Sequence, residues 1–192
     1  MKPSLLILIS VLLPIAGCLT VKEKEYTIRL TTGQSGEATI RFVDIGSASD
    51  DSADVTEEDF KHLIDFYING TGIEEENPGL RNVRKRLFED NGVLCGELAF
   101  EFDSLSAVRL FRYDKDSPFM YYVGPEVFSE QLVETNGALG GEQMPVIFWP
   151  KKTREFAIRT RILSDASYRK SLLTLFHHWE GRRSLPDRGE EQ

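Results

Sequence analysis

The chain carries two cysteines, Cys18 and Cys95, and a free thiolate is the strongest nucleophile that its side chains offer. Cys95 lies in a strand-like apolar segment, where a lone cysteine is ordinarily a small buried hydrophobic residue. Nucleophilic chemistry would need a positive group beside the sulfur, and the histidines are His62, His177 and His178. We therefore assign no catalytic residue and expect a buried Cys95, with a hydrolase that uses this thiol as the alternative.

Paired carboxylates and metal ligands are the next chemistry to consider. Glu97 and Glu101 share a strand face at about 13 Å, which exceeds the roughly 5 to 9.5 Å of glycosidase pairs. A pair assembled from distant strands stays open as a second route to a hydrolase. The adjacent His177 and His178 point about 100° apart on a helix, and the acidic run of residues 50–59 lacks the spacing of a calcium loop. We predict no metal and no dissociable cofactor.

Two groups of side chains are candidates for ligand binding. Arg159 and Arg161 share one face of a strand on an otherwise acidic chain, and such a basic patch can face anionic lipid headgroups. Tyr121, Tyr122 and Trp149 belong to an aromatic group that can line an apolar groove, although aromatic residues of sheets are often simply core. These five residues are the predicted ligand-binding set.

The segment Ile15-Ala16-Gly17-Cys18 has the pattern of a lipobox. Its small residues let a peptidase approach the backbone, and the Cys18 thiol is the group that takes diacylglycerol. Residues 1–17 read as a signal peptide, because Lys2 precedes a short apolar stretch. That stretch, roughly 16 residues, is shorter than the about 20 that a membrane-spanning helix needs. The segment resembles those of bacterial lipoproteins, which implies cleavage before Cys18 and acyl chains such as palmitate on a diacylglyceryl cysteine.

The lipid anchor has consequences for location. Cys18 and residues 19–25 are expected to form a lipidated cysteine with a tether of at most about 25 Å. The resemblance implies that Leu19 is compatible with an outer membrane, facing the periplasm, or with the outer face of the cytoplasmic membrane in a host that has only one. Since lipid occupies Cys18, Cys95 has no disulfide partner.

Two hairpins are predicted. Alternating apolar residues from Tyr26 to Phe42, interrupted by a Gly/Ser-rich turn at residues 32–36, predict the first. Asn91-Gly92 predicts the second, with paired positions that sum to 183. That register sets Arg86 opposite Glu97 and Val83 opposite Phe100, and it turns Leu94, Leu98, Phe100 and Phe102 toward the core.

Two amphipathic helices are also predicted. The first is capped by Thr56, carries Phe60, Leu63, Ile64 and Tyr67 on one stripe and ends at Asn69-Gly70, after a loop from Gly46 to Asp54. The second runs from Ser167 to Glu180 and stops at Gly181. The further strand candidates are Val108–Tyr113, Phe119–Val123, Val127–Glu134, Val146–Trp149 and Glu155–Ile162.

These elements favour an α+β fold, an antiparallel β-sheet meander of about seven to nine strands with the two amphipathic helices packed on one face. Residues 26–183 are expected to form a single globular domain, and residues 184–192 a disordered tail. The net charge of −8 argues against broad electrostatic binding to nucleic acid.

Several segments are similar to those of an uncharacterised family of exported lipoproteins. They are Asn91-Gly92-Val93-Leu94-Cys95-Gly96-Glu97, Phe119-Met120-Tyr121-Tyr122 and Met144-Pro145-Val146-Ile147-Phe148-Trp149. The order of elements after Cys18 also resembles the LppM-type lipoprotein domain, which implies a fold related to lipid-binding proteins. We expect a non-enzymatic, membrane-tethered module of the cell envelope that binds a lipid or a protein partner, with a hydrolase and a purely structural lipoprotein as alternatives.

Overall fold

The computed structural model describes residues 19–49, 54–124, 129–163 and 168–183. The predicted signal peptide of residues 1–17, Cys18 and the predicted tail of residues 184–192 lie outside these ranges, as do residues 50–53, 125–128 and 164–167. Within the described ranges the chain forms ten β-strands and a few short helices.

The first hairpin is confirmed and is longer than predicted. Strand β1 spans Leu19–Leu30 and strand β2 spans Gly36–Ser49. Pairing begins with Leu19 opposite Ser47, so residues 19–25 belong to the sheet and the expected tether is corrected. The first four residues of the expected loop from Gly46 likewise belong to β2: all four pair with a later strand, and Gly46 and Ser47 also pair with β1.

The second hairpin consists of β3 (Leu80–Asp90) and β4 (Val93–Phe102). The predicted register holds from the turn to the pair formed by Arg84 and Ala99, and it includes Arg86 opposite Glu97. Beyond that point the register shifts by one residue, and Asn82 has a positive φ of 49°. A β-bulge of this kind replaces the predicted pair of Val83 with Phe100.

The remaining strands are β5 (Phe119–Tyr122), β6 (Glu130–Thr135), β7 (Ala138–Leu139), β8 (Val146–Trp149), β9 (Glu155–Ile162) and β10 (Tyr168–Ser171). The predicted strand Val108–Tyr113 is wrong. It begins in a 3-10 turn (Leu105–Val108), continues through Arg109 in the left-handed region, and touches the sheet only where Phe111 bridges Met120.

Seven strands form an open antiparallel sheet in the order β3-β4-β2-β1-β9-β6, with β10 paired to the end of β2. The order is not a simple meander, because β4 lies beside β2 and β9 lies beside β1. A second antiparallel sheet has the order β5-β8-β7. The predicted antiparallel pairing of the strands is confirmed, whereas the predicted meander order is not.

Helix α1 (Thr56–His62) continues as a π-helical segment (Leu63–Ile68), and a short helix α2 (Gly72–Glu76) follows. The predicted stripe of Phe60, Leu63, Ile64 and Tyr67 is buried, as expected. Thr56 does not cap α1 with its side chain; its amide and hydroxyl donate to Asp54 instead.

The C-terminal helix, α3, spans Leu173–Arg183 and not Ser167–Glu180. Tyr168–Ser171, the first described residues of the predicted helix, pair with β2 as strand β10. The Leu173 amide then donates a hydrogen bond to the Ser171 hydroxyl. The unpaired edge at the end of β2 therefore overrides the local helical pattern.

The two faces of the large sheet differ in chemistry. One face carries the buried apolar side chains of β1, β2, β4 and β9, and these join residues of α1, α3 and the second sheet in one hydrophobic core. The other face carries ion pairs such as Arg86 with Glu97 and Arg29 with Glu155. The core face is therefore the place to look for an apolar ligand.

Candidate functional site

A cavity of about 240 Å³ lies on the core face, bounded by β1, β2 and β4 on one side and by the π-helical segment and α2 on the other. This volume is many times the roughly 15 Å³ that a single water molecule occupies on the same scale. Most of the lining is aliphatic or aromatic, and it includes Leu19, Val21, Ile40, Phe42, Ile45, Leu63, Ile73, Leu87, Leu98 and Ile162.

The geometry of β1 and β2 explains the concave wall of this cavity. Val21 and Lys24 both line it, although residues three apart in a regular strand point to opposite faces. Asp44, in the partner strand between the positions that pair with them, has a φ of 58°, and the ladder skips a pair there. The backbone at Asp44 thus departs from regular strand geometry between the two parts of the hairpin whose side chains border the cavity.

The rim of the cavity includes the start of β1. Thr20, Val21 and Ile162 are half-buried, and Ser129 is exposed, and all four border the cavity. The cavity therefore reaches the surface near residues 19–21, which follow Cys18 directly in the sequence. An elongated molecule can enter there without unfolding the sheet.

Two residues of the lining each carry a buried polar atom that has no hydrogen-bond partner in the structure. These atoms are the hydroxyl of Tyr67 and the side-chain oxygen of Asn77. Tyr67 is 5% exposed and Asn77 is 7% exposed, so bulk water does not satisfy them. A buried polar atom without a partner costs about 1 to 3 kcal/mol.

A buried cluster around Glu130 borders the same cavity through Lys24 and Tyr26. The Glu130 carboxylate accepts hydrogen bonds from Lys24 Nζ at 3.0 Å, the Tyr26 hydroxyl at 3.2 Å and Thr160 Oγ1 at 2.7 Å. The guanidinium of Arg109 lies 4.0 Å away. In contrast to Tyr67 and Asn77, this carboxylate is satisfied by the protein itself.

Tyr26 and Tyr121 hold the aromatic side of the cluster. Arg109 lies over the Tyr121 ring at 4.6 Å and over the Tyr26 ring at 5.8 Å, in a cation-π arrangement. Burial raises the pKa of Tyr26 well above its ordinary value, and Tyr121 and Glu130 raise it further. Tyr26 therefore stays protonated, and its hydroxyl donates a hydrogen bond to Glu130.

The predicted aromatic ligand set does not line the cavity. Trp149 is buried, donates from its indole N–H to the Asn136 side-chain oxygen at 2.8 Å, and stacks edge-on against Phe156. Tyr121 is fully buried beside Arg109, next to a separate void of about 20 Å³. Tyr122 is partly exposed on the second sheet. Trp149 and Tyr121 therefore join the second sheet to the large one.

The predicted basic patch is neutralised by acidic neighbours. Arg159 Nη2 lies 2.8 Å from Glu134, and its other terminal nitrogen lies 3.7 Å from Glu23. Arg161 lies 3.7 Å from Glu23 as well. The two arginines do share one face of β9, as predicted, but this face alternates in charge and does not form a uniformly basic surface.

Cys95 is buried with 0% exposure, in agreement with the prediction. It shares the outer face of the sheet with Arg41 and Phe88. Burial favours a lower pKa for Arg41, but hydrogen bonds to Cys95 and Asp90 raise it above its ordinary value. A guanidinium therefore does lie beside the thiol, and Asp90 already binds it.

The three histidines lie elsewhere. His177 contacts Glu89 at 2.7 Å, on the sheet face opposite Cys95, and His62 stacks on Phe66 in the helical segment. His178 borders a groove between α1 and α3. Across the described residues there is no group of three or more acidic, histidine or cysteine side chains placed to hold a metal ion.

Sequence reasoning missed the buried polar groups in and beside the cavity. Tyr67 was placed correctly on the buried stripe, but nothing in that pattern shows that its hydroxyl has no partner. In the sequence, Asn77 resembles an ordinary turn residue, and Glu130 resembles an ordinary charged residue of a strand. Only the register of β6 against β9, which sets Glu130 opposite Ile162, turns that carboxylate inward.

Comparisons of the chain with protein-family models, curated proteins and solved structures find no match. In the described part of the chain, no helix has both the length and the apolar composition needed to cross a membrane. The cavity and its lining are therefore the observations from which a function is inferred.

Proposed function

We propose that this chain is a membrane-anchored lipoprotein of the cell envelope whose domain binds a lipid or a similar hydrophobic ligand in the cavity. The observation that carries the proposal is the cavity itself, about 240 Å³ in volume and lined mainly by apolar side chains. Protein interiors are close-packed, and voids of this size are uncommon unless something occupies them.

The physical reason for an apolar ligand is the chemistry of the wall. Aliphatic side chains on β1, β2 and β4 give water few hydrogen-bond partners, so ordered water in most of this space is unfavourable. An acyl chain gains about 0.8 kcal/mol for each CH₂ that leaves water. The wall thus favours a hydrocarbon chain over a sugar, a nucleotide or a metal complex.

The predicted lipid-attachment site and the cavity rim are adjacent in the sequence. Cys18, the predicted site of lipid attachment, directly precedes the strand whose first residues form the cavity rim. Without a tether, an anchored domain has its cavity rim within a few residues of the bilayer. The proposal therefore names membrane lipid as the source of the ligand, in an α+β domain whose two amphipathic helices cover the core face.

A Cys18→Ser variant tests the anchor. The full chain is expected to fractionate with membranes and to carry the mass of its acyl groups, whereas the variant is expected in the soluble fraction without that mass. Unchanged partitioning together with unchanged mass contradicts the anchor, while binding by the soluble variant is still measurable.

A Val21→Trp variant tests the cavity. Val21 is half-buried at the rim, and an indole there occupies the entrance. Titration of the Cys18→Ser protein with a neutral fluorescent probe, N-phenyl-1-naphthylamine, is expected to give saturable binding that weakens about tenfold or more in the variant. Val133→Trp is the matched control, because Val133 is an exposed strand residue outside the cavity lining.

The two variants give different results only if the probe binds in the cavity. Equal affinity of Val21→Trp, Val133→Trp and the parent protein for the probe contradicts the proposal. Thermal unfolding of all three proteins checks that a lost signal reflects the blocked cavity and not loss of the fold.

A further inference from the structure

The second sheet has an outer face without charged side chains. Its strands β5, β7 and β8 contain no charged residue at all. On β5 and β8 the inward-facing residues are buried in the core, and they are Phe119, Tyr121, Ile147 and Trp149. The solvent face of an antiparallel sheet is ordinarily polar, as it is on the large sheet. The outer face of the second sheet departs from that rule.

The strand register joins the outward side chains of this sheet in one surface. Met120 pairs with Phe148, Tyr122 pairs with Val146, and Phe111 bridges Met120. Directly paired residues point to the same side of a sheet and lie about 5 Å apart. A side chain at Gly140 would touch both the Met144 methyl group and the Phe148 ring, so Met144 belongs to the same surface. We call this surface the apolar face, and its residues are Phe111, Met120, Tyr122, Met144, Val146 and Phe148.

The apolar face is accessible from outside the protein. Phe111 is 58% exposed, Met144 is 48% exposed, and Tyr122 is exposed as well. Met120, Val146 and Phe148 are half-buried beside them. Contiguous apolar surfaces that are exposed and bordered by polar residues mark sites of interaction with a protein or a membrane.

Basic residues gather at one end of the apolar face. Lys115 lies between Phe111 and β5, and Lys152 follows β8. Lys151 contacts Asp116 at 2.9 Å, which brings these two segments together. Residues 111–116 and 150–154 carry five basic and two acidic side chains, on a chain whose net charge is −8. Within the described ranges, neither Lys115 nor Lys152 forms an ion pair.

This combination of side chains fits an anionic bilayer surface. Aromatic side chains favour the depth of the lipid headgroups, and lysines beside them reach the phosphates while their stems lie along apolar surface. The negative potential of anionic lipid attracts a local excess of basic residues. The second sheet lies on the core side of the large sheet, so the apolar face points away from the ion-paired face.

We propose that the apolar face, with Lys115 and Lys152 at its end, is a docking surface for a bilayer that contains anionic lipid. Its aromatic and methionine side chains enter the headgroup region, and the two lysines contact lipid phosphates. Among the described residues that line the cavity, none belongs to the apolar face. Docking therefore orients the domain on the membrane whether or not the cavity holds a ligand.

Co-sedimentation of the Cys18→Ser protein with vesicles tests this docking surface. Vesicles of phosphatidylcholine and phosphatidylglycerol in equal parts are compared with vesicles of phosphatidylcholine alone. We expect binding to the anionic vesicles that weakens at high salt, and weaker binding to the neutral vesicles. Phe111→Glu is expected to weaken binding to the anionic vesicles about tenfold, and Lys152→Glu about fivefold or more.

Each variant has a matched control. Val133→Glu adds the same charge at an exposed apolar strand residue outside the apolar face, and parent-like binding is expected. Arg84→Glu reverses an exposed charge on the edge strand β3 and is likewise expected to bind like the parent. Val21→Trp, which blocks the cavity, is expected to bind vesicles normally, so that failure of the cavity and failure of the docking surface give different results. Thermal unfolding checks that every variant is folded.

Three outcomes overturn the proposal. The first is a parent protein that does not bind the anionic vesicles. The second is equal binding by Phe111→Glu and Val133→Glu, or by Lys152→Glu and Arg84→Glu. The third comes from sedimentation equilibrium, where a parent dimer that Phe111→Glu dissociates would assign the apolar face to a second copy of the chain.

Discussion

Glu130 is a carboxylate in a buried environment, which is unusual for its type. Its side chain is 4% exposed, and it lies between Lys24 at 3.0 Å and Arg109 at 4.0 Å. A carboxylate buried in this way is tolerated only while its partners and hydrogen bonds are complete. The cluster thereby connects the edge strand β6 to β1 and β9, the strands beside the cavity.

We predict that Glu130→Ala destabilises the protein strongly. Removal of the carboxylate leaves Lys24 without its counter-ion in a mostly buried position, and breaking a buried pair costs about 3 to 5 kcal/mol. Chemical denaturation measures the free energy of unfolding. Glu155→Ala is the control, because the pair of Arg29 and Glu155 is largely exposed and its loss is expected to cost less than about 1 kcal/mol.

Equal losses in the two variants would contradict a stabilising role for the Glu130 cluster. A loss confined to Glu130→Ala supports it. Glu130→Gln, which keeps the shape and part of the hydrogen bonding, is expected to fall between the parent and Glu130→Ala.

Sequence reasoning succeeds for residues whose neighbours follow from a local rule. The Asn91-Gly92 turn fixed the pairing of Arg86 with Glu97, and the alternation of β4 indicated which of its residues are core. Glu130 and Asn77 depend on long-range register and on a π-helical insertion. No pattern within about ten residues of either position specifies those features.

At the scale of elements, Asp54 connects the start of α1 to β10, and we call this contact the joint between them. Its carboxylate accepts from the Thr56 amide and hydroxyl at the start of the helix and from Lys170 Nζ at 2.8 Å. The hydrogen bond from Lys170, followed by those from Thr56, lowers the pKa of Asp54 to about 2. The ionised form is therefore favoured in the folded protein.

We predict that Asp54→Asn flattens the dependence of stability on acid. A carboxyl whose pKa falls from about 3.9 in the unfolded chain stabilises the fold above that pH and loses the contribution as pH falls toward its folded value. The folded value is about 2, so the effect lies between about pH 4 and pH 2. Urea denaturation at a series of pH values measures the slope.

Lys170→Ala is the companion variant, because Lys170 makes the largest contribution to the shift. It is expected to flatten the dependence of stability on pH over the same window. The double variant is expected to flatten that dependence little further. Parent-like slopes in both single variants would show that this joint does not contribute to acid stability.

Two segments show that tertiary structure can override the local sequence pattern. Tyr168–Ser171 continues the apolar spacing of a helix, yet it pairs with the end of β2, where β4 no longer reaches. Val108–Tyr113 alternates like a strand, yet a left-handed residue, Arg109, redirects the chain. An unpaired sheet edge decides the first case, and the backbone conformation of one residue decides the second. Neither can be read from amino-acid composition.

At the scale of the whole molecule, the cavity opens beside the first residues of β1, at the end of the domain that the predicted anchor would join. The large sheet faces solvent with alternating ion pairs and faces its core with aliphatic side chains. The proposed function turns this opening toward the bilayer and the ion-paired face of the sheet away from it.

The most direct test of a lipid-binding cavity is native mass spectrometry of the Cys18→Ser domain after incubation with lipid extracted from the membranes of its own host. The parent protein and Val133→Trp are expected to carry one additional lipid mass that organic solvent releases, and Val21→Trp is expected to lack it. An unliganded mass for all three proteins, or retention of the lipid by Val21→Trp, would contradict the account.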